Sequence, residues 1–213
     1  WSVAVNGVPL AYEPASGFWI DICLKRLRLP AHLLREGENE ILLTGDFMRT
    51  TNLEALYLTG AFGVRLDGGR AALCRLPEQA SLGNLADNRL PFYSGRVTYR
   101  FTLPECFAPG QPLRLALEDF HGALALVQAG DDPEQAVFTA PYTADLVCPP
   151  DRRLAVTLVA TRRNTFGPLH QVPVLTESYG PGSFITEGDA WSDRYELVDC
   201  RLGPVCISPL AHP

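Results

Sequence analysis

The sequence predicts an all-β fold of the sandwich or barrel type, and two features of its 213 residues carry that prediction. Short apolar or alternating runs recur along the chain, and turn-forming residues bound each of them. The 18 glycines and 18 prolines punctuate these runs, and almost no stretch has a helical spacing of apolar residues. Short strands with frequent turn signals are typical of β-sandwiches and barrels.

The first predicted strand is 2–5, and the dipeptide Asn6-Gly7 that follows it is a hairpin signal. Both residues tolerate the positive φ that a two-residue hairpin turn requires. A helical turn is expected at 30–35, a turn at 36–39, and either helix or strand at 50–57. The other strands predicted in this part of the chain are 8–12, 18–24, 25–29 and 40–44.

The clearest strand is 96–103, where apolar residues occupy every second position from Val97 to Leu103. This period of two predicts one face toward the core and one toward solvent. Further strands are predicted at 60–66, 71–76, 113–117, 123–128, 137–139, 142–146, 155–161, 173–177, 184–186, 195–197 and 205–207.

A polar segment follows strand 155–161, and it is the most informative stretch for function. Arg163 and Asn164 come after the strand, and a Gly-Pro break then leads to His170. Hydrogen-bonding groups that sit on loops of a rigid scaffold are often binding groups. We call residues 163–170 the rim segment, and the sequence leaves open whether it contacts a ligand, another domain or nothing.

Charge and hydropathy exclude two classes of partner. The formal net charge of −6 argues against a nucleic-acid surface, which requires a basic stripe, and against an anionic membrane surface. No apolar run approaches the roughly 20 residues of a membrane-spanning helix. The chain begins with Trp1, and we expect it to be a piece cut from a longer protein.

The six cysteines have wide, irregular spacing without a zinc-site pattern. Cys23 and Cys148 fall in apolar strand patterns, where a free cysteine behaves as a small hydrophobic residue. Most thiols are therefore expected to be reduced and buried, which indicates a cytoplasmic protein. A disulfide between Cys200 and Cys206, or secretion directed by a preceding signal sequence, is the alternative.

Two stretches, 2–44 and 123–161, share an order of features. Each has a strand of small residues, a turn with glycine, an aromatic residue before an aspartate, a second turn and an apolar strand. Gly7 precedes Asp21 by about the distance at which Gly130 precedes Asp145. This repeat predicts two related sandwiches, of which the first lacks its opening strands.

Several motifs resemble the sugar-binding domain of family 2 and related glycoside hydrolases. They are Val5-Asn6-Gly7, an aromatic before Asp21, the run LREGENEI at 34–41 and FYSGRVTYR at 92–100. The RNTFGPLH run at 163–170 resembles the closing motif of accessory domains in large bacterial glycoside hydrolases, including relatives of rhamnosidases. The family pattern has Asp-Ile-Thr where this chain has Asp21-Ile22-Cys23.

The resemblance implies a galactose-binding-domain-like jelly-roll β-sandwich at 59–213, preceded by the C-terminal part of a first sandwich at 1–58. Such enzymes carry their catalytic carboxylates on a separate barrel domain, whose strand–helix alternation this chain lacks. The expected role is therefore a non-catalytic accessory domain that packs on the catalytic domain of the same polypeptide and contacts poly- or oligosaccharide. A stand-alone carbohydrate-binding module is the alternative, and a self-contained hydrolase is a third hypothesis.

Six residues are predicted to contact carbohydrate or a neighbouring domain because they are polar or aromatic and lie near loops. Trp191 stands in a polar segment and is the best exposed aromatic candidate, whereas Trp19 is expected in the core. Phe184 is a further aromatic of this kind. The six predicted contact residues are Tyr142, Arg163, Asn164, His170, Tyr179 and Trp191.

Catalytic and metal chemistry have weaker signals. The carboxylates Glu54, Glu118, Asp119 and Glu177 are candidates for a glycosidase pair, but no spacing brings two of them together, and solvated carboxylates are the expected state. A serine triad would need Ser94 with His121 or His170, and no nucleophile-elbow motif supports it. Asp131, Asp132 and Glu134 offer oxygen ligands for a structural calcium ion, although a solvated turn is the default. No catalytic residue and no other cofactor are expected.

Overall fold

The computed structural model describes residues 1–11, 16–51 and 55–210, and antiparallel strands form most of its regular structure. The all-β prediction is confirmed. The chain divides into two compact units, Trp1–Leu58 and Thr59–Pro213. Helical elements of the described residues include the 3₁₀ turns Ala31–Leu33 and Pro181–Ser183 and the single-turn helix α1 (Arg163–Phe166). In the described part of the chain, no helix has the length and apolar character needed to cross a membrane.

The first unit has a three-stranded sheet and a two-stranded ribbon. Its central strand β1 lies between β2 and β5, and β3 pairs with β4. Asn6 and Gly7, with φ of 50° and 83°, connect β1 to β2 in the left-handed conformations that the Asn-Gly signal predicts. The strands are β1 (Ser2–Val5), β2 (Val8–Leu10), β3 (Phe18–Trp19), β4 (Asp21–Lys25) and β5 (Ile41–Thr44).

Two asparagines, Asn6 and Asn39, connect the Asn-Gly turn of this unit to the loop before β5. The Asn6 amide donates to the Leu33 carbonyl oxygen at 2.7 Å and to the Asn39 side chain at 2.8 Å, and it accepts from the Glu40 amide at 3.0 Å. Asn39 in turn bonds the backbone of Arg35 in both directions. The Asn-Gly turn and the loop before β5 are thus held as one hydrogen-bonded body.

The second unit has three main sheets and a hairpin, all antiparallel. The sheets are ordered β13-β12-β15-β9, β14-β10-β17 and β11-β16-β8, and β6 pairs with β7. The strands are β6 (Gly63–Asp67), β7 (Arg70–Cys74), β8 (Gly83–Asn84), β9 (Arg96–Thr102), β10 (Pro112–Leu117), β11 (Phe120–His121), β12 (Leu124–Ala129), β13 (Gln135–Val137), β14 (Thr143–Val147), β15 (Arg153–Val159), β16 (Arg201–Leu202) and β17 (Val205–Pro209).

One hydrophobic core joins these three sheets. Alternate residues of β15 and of β10, such as Leu158 and Leu115, are fully buried in it. Tyr99 and its neighbours at alternate positions of β9 face the same core, as the period-two pattern predicts, while Arg96 and Arg100 are exposed. The architecture is therefore sandwich-like, with apolar faces of two larger sheets packed together.

The predicted internal repeat has a counterpart in the sheet orders. The order β2-β1-β5 in the first unit corresponds to β13-β12-β15 in the second, with hairpins and long connections in the same sequence. In both units the intervening strand, β4 or β14, pairs outside this sheet. In the described residues, β5 has no neighbour in the place that β9 takes beside β15.

Several element predictions are wrong. Residues 173–177, 184–186 and 195–197 form no strands, because no strand of the described residues pairs with them; the Glu196 amide, for example, makes an isolated bond to the Leu169 oxygen. No strand forms over 25–29, because β4 ends at Lys25. The short strands β8, β11 and β16 and helix α1 are not predicted, because they carry no clear sequence signal. Part of strand 8–12 and of the ambiguous region 50–57 lies outside the described residues.

The thiol prediction is correct only in part. No disulfide links any two of the six cysteines, all of which lie among the described residues, and Cys148 and Cys200 are buried. Cys23, Cys106 and Cys206 are exposed, because each occupies a solvent-facing position of its strand or loop. Cys200 and Cys206 form no disulfide, and the carboxylate of Glu118 beside Cys206 raises the pKa of that thiol.

An exposed ion pair makes stability depend on pH. Arg114 on β10 faces Asp145 on β14 and donates two hydrogen bonds to its carboxylate, at 2.7 and 2.8 Å. These bonds hold the pKa of Asp145 below its ordinary value. The contribution is therefore present above the pKa of the unfolded carboxyl and is lost as pH falls through the folded pKa.

We expect Asp145→Asn to lower the free energy of unfolding in urea at pH 7 and to have no such effect at a pH below the folded pKa, where the native carboxyl is also protonated. The exposed substitution Asp87→Asn is the control for the loss of one surface carboxylate and should leave the free energy of unfolding at pH 7 nearly unchanged. An equal loss at both pH values would contradict this assignment.

Candidate functional site

The rim segment begins where β15 ends. The Ala160 amide still bonds to the Gly95 oxygen, and the chain then makes the single turn of α1. Gly167, with φ of 85°, ends that turn, and its amide bonds to the Arg163 oxygen. A residue with a side chain would be strained at this φ, so glycine is required where the chain turns toward His170.

The buried side chain of Asn164 anchors the rim segment to the backbone of a neighbouring loop. This side chain is 7% exposed and pairs with the backbone of Val198 in both directions, donating at 2.7 Å and accepting at 2.9 Å. Thr165 adds a second anchor by donating to the Phe92 oxygen at 2.9 Å. The structure therefore places Asn164 below the surface, where it ties two loops together.

Arg163 lies between the rim segment and an aromatic loop. One guanidinium nitrogen donates to the Pro168 oxygen at 2.5 Å, and the guanidinium carbon lies 4.8 Å from the centre of the Tyr179 ring. Partial burial lowers the pKa of this guanidinium. Its buried Nε has no hydrogen-bond partner in the described part of the chain. Arg163 therefore supports the aromatic loop and keeps one polar group unsatisfied.

His170 joins a second group of rings. Its Nδ1 lies 3.0 Å from the Ser192 oxygen and 2.8 Å from the Arg194 oxygen. Both partners are carbonyl acceptors, so Nδ1 carries the proton. The imidazole stacks on Trp191 at 6.1 Å between ring centres and tilts against Tyr195 at 5.0 Å.

Three aromatic side chains on these loops are open to solvent, and we call them the rim aromatics. Tyr179 is 47%, Phe184 54% and Trp191 38% exposed. Tyr179 and Phe184 contact each other edge to face at 6.4 Å, and Phe184 packs against Gly167. Arg163 and His170 thus connect the rim segment to all three rings. The contact of Phe184 with Gly167 is not foreseeable from the spacing of the two residues.

Tyr142 belongs to a different part of the unit. It is partly buried against the core and meets Phe120 edge to face at 5.1 Å. Trp19 is half-buried beside Tyr57, at 5.6 Å between ring centres. Sequence reasoning missed Tyr195, whose ring links Phe92 to His170, because nothing in the sequence relates these three distant positions.

Some of the candidate catalytic and metal-binding groups pair with neighbouring side chains. Asp119 lies 3.3 Å from His121 Nε2 and also pairs with Arg201. In the described residues, no serine hydroxyl is hydrogen-bonded to His121 or to His170, and Glu54 lies outside those residues. Asp131 pairs with Arg153, and no group of three His, Cys, Asp or Glu side chains suited to a metal ion occurs in the part of the chain that is described.

No family model matches the chain, and neither the curated proteins nor the solved structures contain a significant match to it.

We expect Asn164→Ala to lower the free energy of unfolding in urea by roughly 1–3 kcal/mol, because two part-buried backbone groups of Val198 lose their partner. Thr165→Val, which removes one hydroxyl bond nearby, should cost about 1 kcal/mol. A loss of under about 0.5 kcal/mol for Asn164→Ala, the size of an ordinary surface substitution, would contradict the anchoring role.

Proposed function

We propose that this chain is a non-catalytic accessory β-sandwich region of a bacterial glycoside hydrolase, whose second unit has a galactose-binding-domain-like jelly roll. It packs on the catalytic domain of the same polypeptide and contacts carbohydrate. The observation that carries the proposal is the set of rim aromatics, held by Arg163 and His170. The motif resemblance and the repeated sheet order β13-β12-β15 support the same proposal.

The rim aromatics suit a sugar ligand for a physical reason. A pyranose ring has an apolar face that packs on an aromatic ring, while its hydroxyl groups need hydrogen-bonding neighbours. Tyr179, Phe184 and Trp191 provide rings, and the partly exposed guanidinium of Arg163 provides donors. The anchors at Asn164 and Thr165 fix this surface before binding, which lowers the entropic cost of association.

A stand-alone carbohydrate-binding module would use the same surface, so glycan binding alone does not separate the two roles. The whole reading frame that contains the chain separates them. We expect it to encode a further domain with strand–helix alternation and paired carboxylates. A reading frame without such a domain would contradict the accessory role and leave the binding-module role.

We expect affinity electrophoresis of the chain to show retardation by at least one soluble polysaccharide from a panel with rhamnose, galactose, xylose, mannose and uronic acid residues. Trp191→Ala and Tyr179→Ala should each weaken that retardation by roughly tenfold in affinity, since packing of a sugar face on one aromatic ring is expected to contribute about 1.4 kcal/mol. Phe138→Ala removes an even more exposed aromatic side chain outside the rim and serves as the control. Absence of retardation, or equal retardation of all variants, would contradict carbohydrate binding at the rim.

A further inference from the structure

β9 forms one edge of the four-stranded sheet, with β15 as its neighbour in the described residues. In an antiparallel ladder every second residue directs its N–H and C=O toward the partner strand. The Ala160 amide bonds to the Gly95 oxygen, and the Leu103 amide bonds to the Arg152 oxygen. The backbone N–H and C=O groups of the odd-numbered residues of β9 therefore point to β15. Those of the even-numbered residues point away from β15, to the open edge of the sheet, which we call the open side.

At one end of the open side a side chain already bonds to the backbone, whereas the rest of the open side is accessible. The Tyr93 hydroxyl donates to the Arg96 oxygen at 3.2 Å and caps the start of the edge. A Cβ on Gly95 would lie 2.3 Å from that hydroxyl, so glycine is needed for the cap. Within the described residues, the backbone groups of Thr98 and Arg100 on this side have no hydrogen-bond partner.

A groove of about 670 Å³ runs along this edge. The loop after β7 forms the opposite wall with apolar side chains, including Leu76 and Leu82, which are 42% and 43% exposed. An added strand would lie about 4.8 Å from β9. Its alternate side chains would then point either toward Leu76 and Leu82 in the groove or toward the side of the sheet that carries Arg96 and Arg100.

The charges on β9 define the chemistry of the occupant. Arg96 and Arg100 are exposed on one face of the strand, about 13 Å apart, and form no ion pair within the described residues. Glu78 also lines the groove, but it is paired with Arg75 at 2.5 Å. Two β9 edges brought together would place these arginines beside each other, which disfavours a second copy of the chain.

We propose that the β9 edge binds an extended acidic polypeptide segment by strand addition. The segment bonds to the backbone of Thr98 and Arg100, places carboxylates four residues apart opposite Arg96 and Arg100, and directs apolar side chains toward Leu76 and Leu82. Main-chain bonds supply affinity in this mode of recognition, and side chains at alternate positions supply selectivity.

The test is fluorescence anisotropy with the whole chain and a fluorescein-labelled heptapeptide, Thr-Val-Glu-Ile-Thr-Val-Glu, whose glutamates are four positions apart. We expect saturable binding that weakens with salt, and no binding of the same peptide with lysine in place of glutamate. The double variant Arg96→Ala/Arg100→Ala should raise Kd by about tenfold or more. Arg65→Ala/Arg70→Ala, on the exposed hairpin of the same unit, is the matched control and should leave Kd unchanged.

A backbone variant separates strand addition from simple charge attraction. Thr98→Pro removes an amide that points to the open side, and an edge strand tolerates proline there. Thr98→Val keeps that amide and, like the proline variant, loses the hydroxyl bond to Thr157. We expect Thr98→Val to bind the peptide and Thr98→Pro not to bind it, with near-UV circular dichroism unchanged in both.

Three results would overturn the proposal: no binding of the acidic peptide, equal binding by Thr98→Pro and Thr98→Val, or binding of an oligouronate at this edge in place of the peptide. Trp191→Ala should leave peptide binding unchanged. The outcome at β9 is therefore independent of the outcome at the rim.

Discussion

The ladder that β15 forms with β12 and β9 is the constraint on which the second unit depends. Leu154, Val156 and Leu158 on its inner face are at most 1% exposed. On its outer face the Thr157 hydroxyl bonds to that of Thr98 at 2.9 Å. A slip by one residue would exchange these two faces, so burial fixes the register. A fixed register in turn fixes where β15 ends on the sheet, and therefore where the rim segment with Arg163 begins.

After the end of β15, the conformation of the chain depends on hydrogen bonds from side chains to backbone rather than on regular secondary structure. Asn164 and His170 bond to the backbone of the segment before β16, at Val198 and Ser192, and Thr165 bonds to that of the loop before β9. Buried backbone groups must find partners, and here side chains supply what a sheet ladder would otherwise provide. This arrangement explains how irregular loops hold rings that are 38–54% exposed, which is an unusual state for large aromatic residues.

Sequence reasoning predicts the parts that follow from local pattern. The period of two in β9 reflects a face buried against the core, and Asn6-Gly7 reflects the positive φ of a tight turn. The residues of the rim could be singled out because polar groups and a Gly-Pro break follow an apolar strand. In each case the physical cause acts within a few residues, so the pattern is visible in the sequence.

The rest depends on contacts between distant residues. Asn164 and Val198 are 34 positions apart, and nothing in either neighbourhood indicates that they pair. Tyr142 resembles a loop aromatic in sequence, but its contact with Phe120 places it against the core. Residues 173–177 have a strand-like composition, yet β pairing requires a neighbouring strand, and the structure provides none there.

We expect the rim segment to be held as firmly as the ladder from which it emerges. Hydrogen exchange of the backbone amides, followed by NMR, tests it most directly. The amides of Val198, Ser192 and Glu196 donate hydrogen bonds to oxygens of the rim segment, and we predict that they exchange nearly as slowly as those of β15. Exchange of these three amides at the rate of exposed loops would contradict a preformed rim.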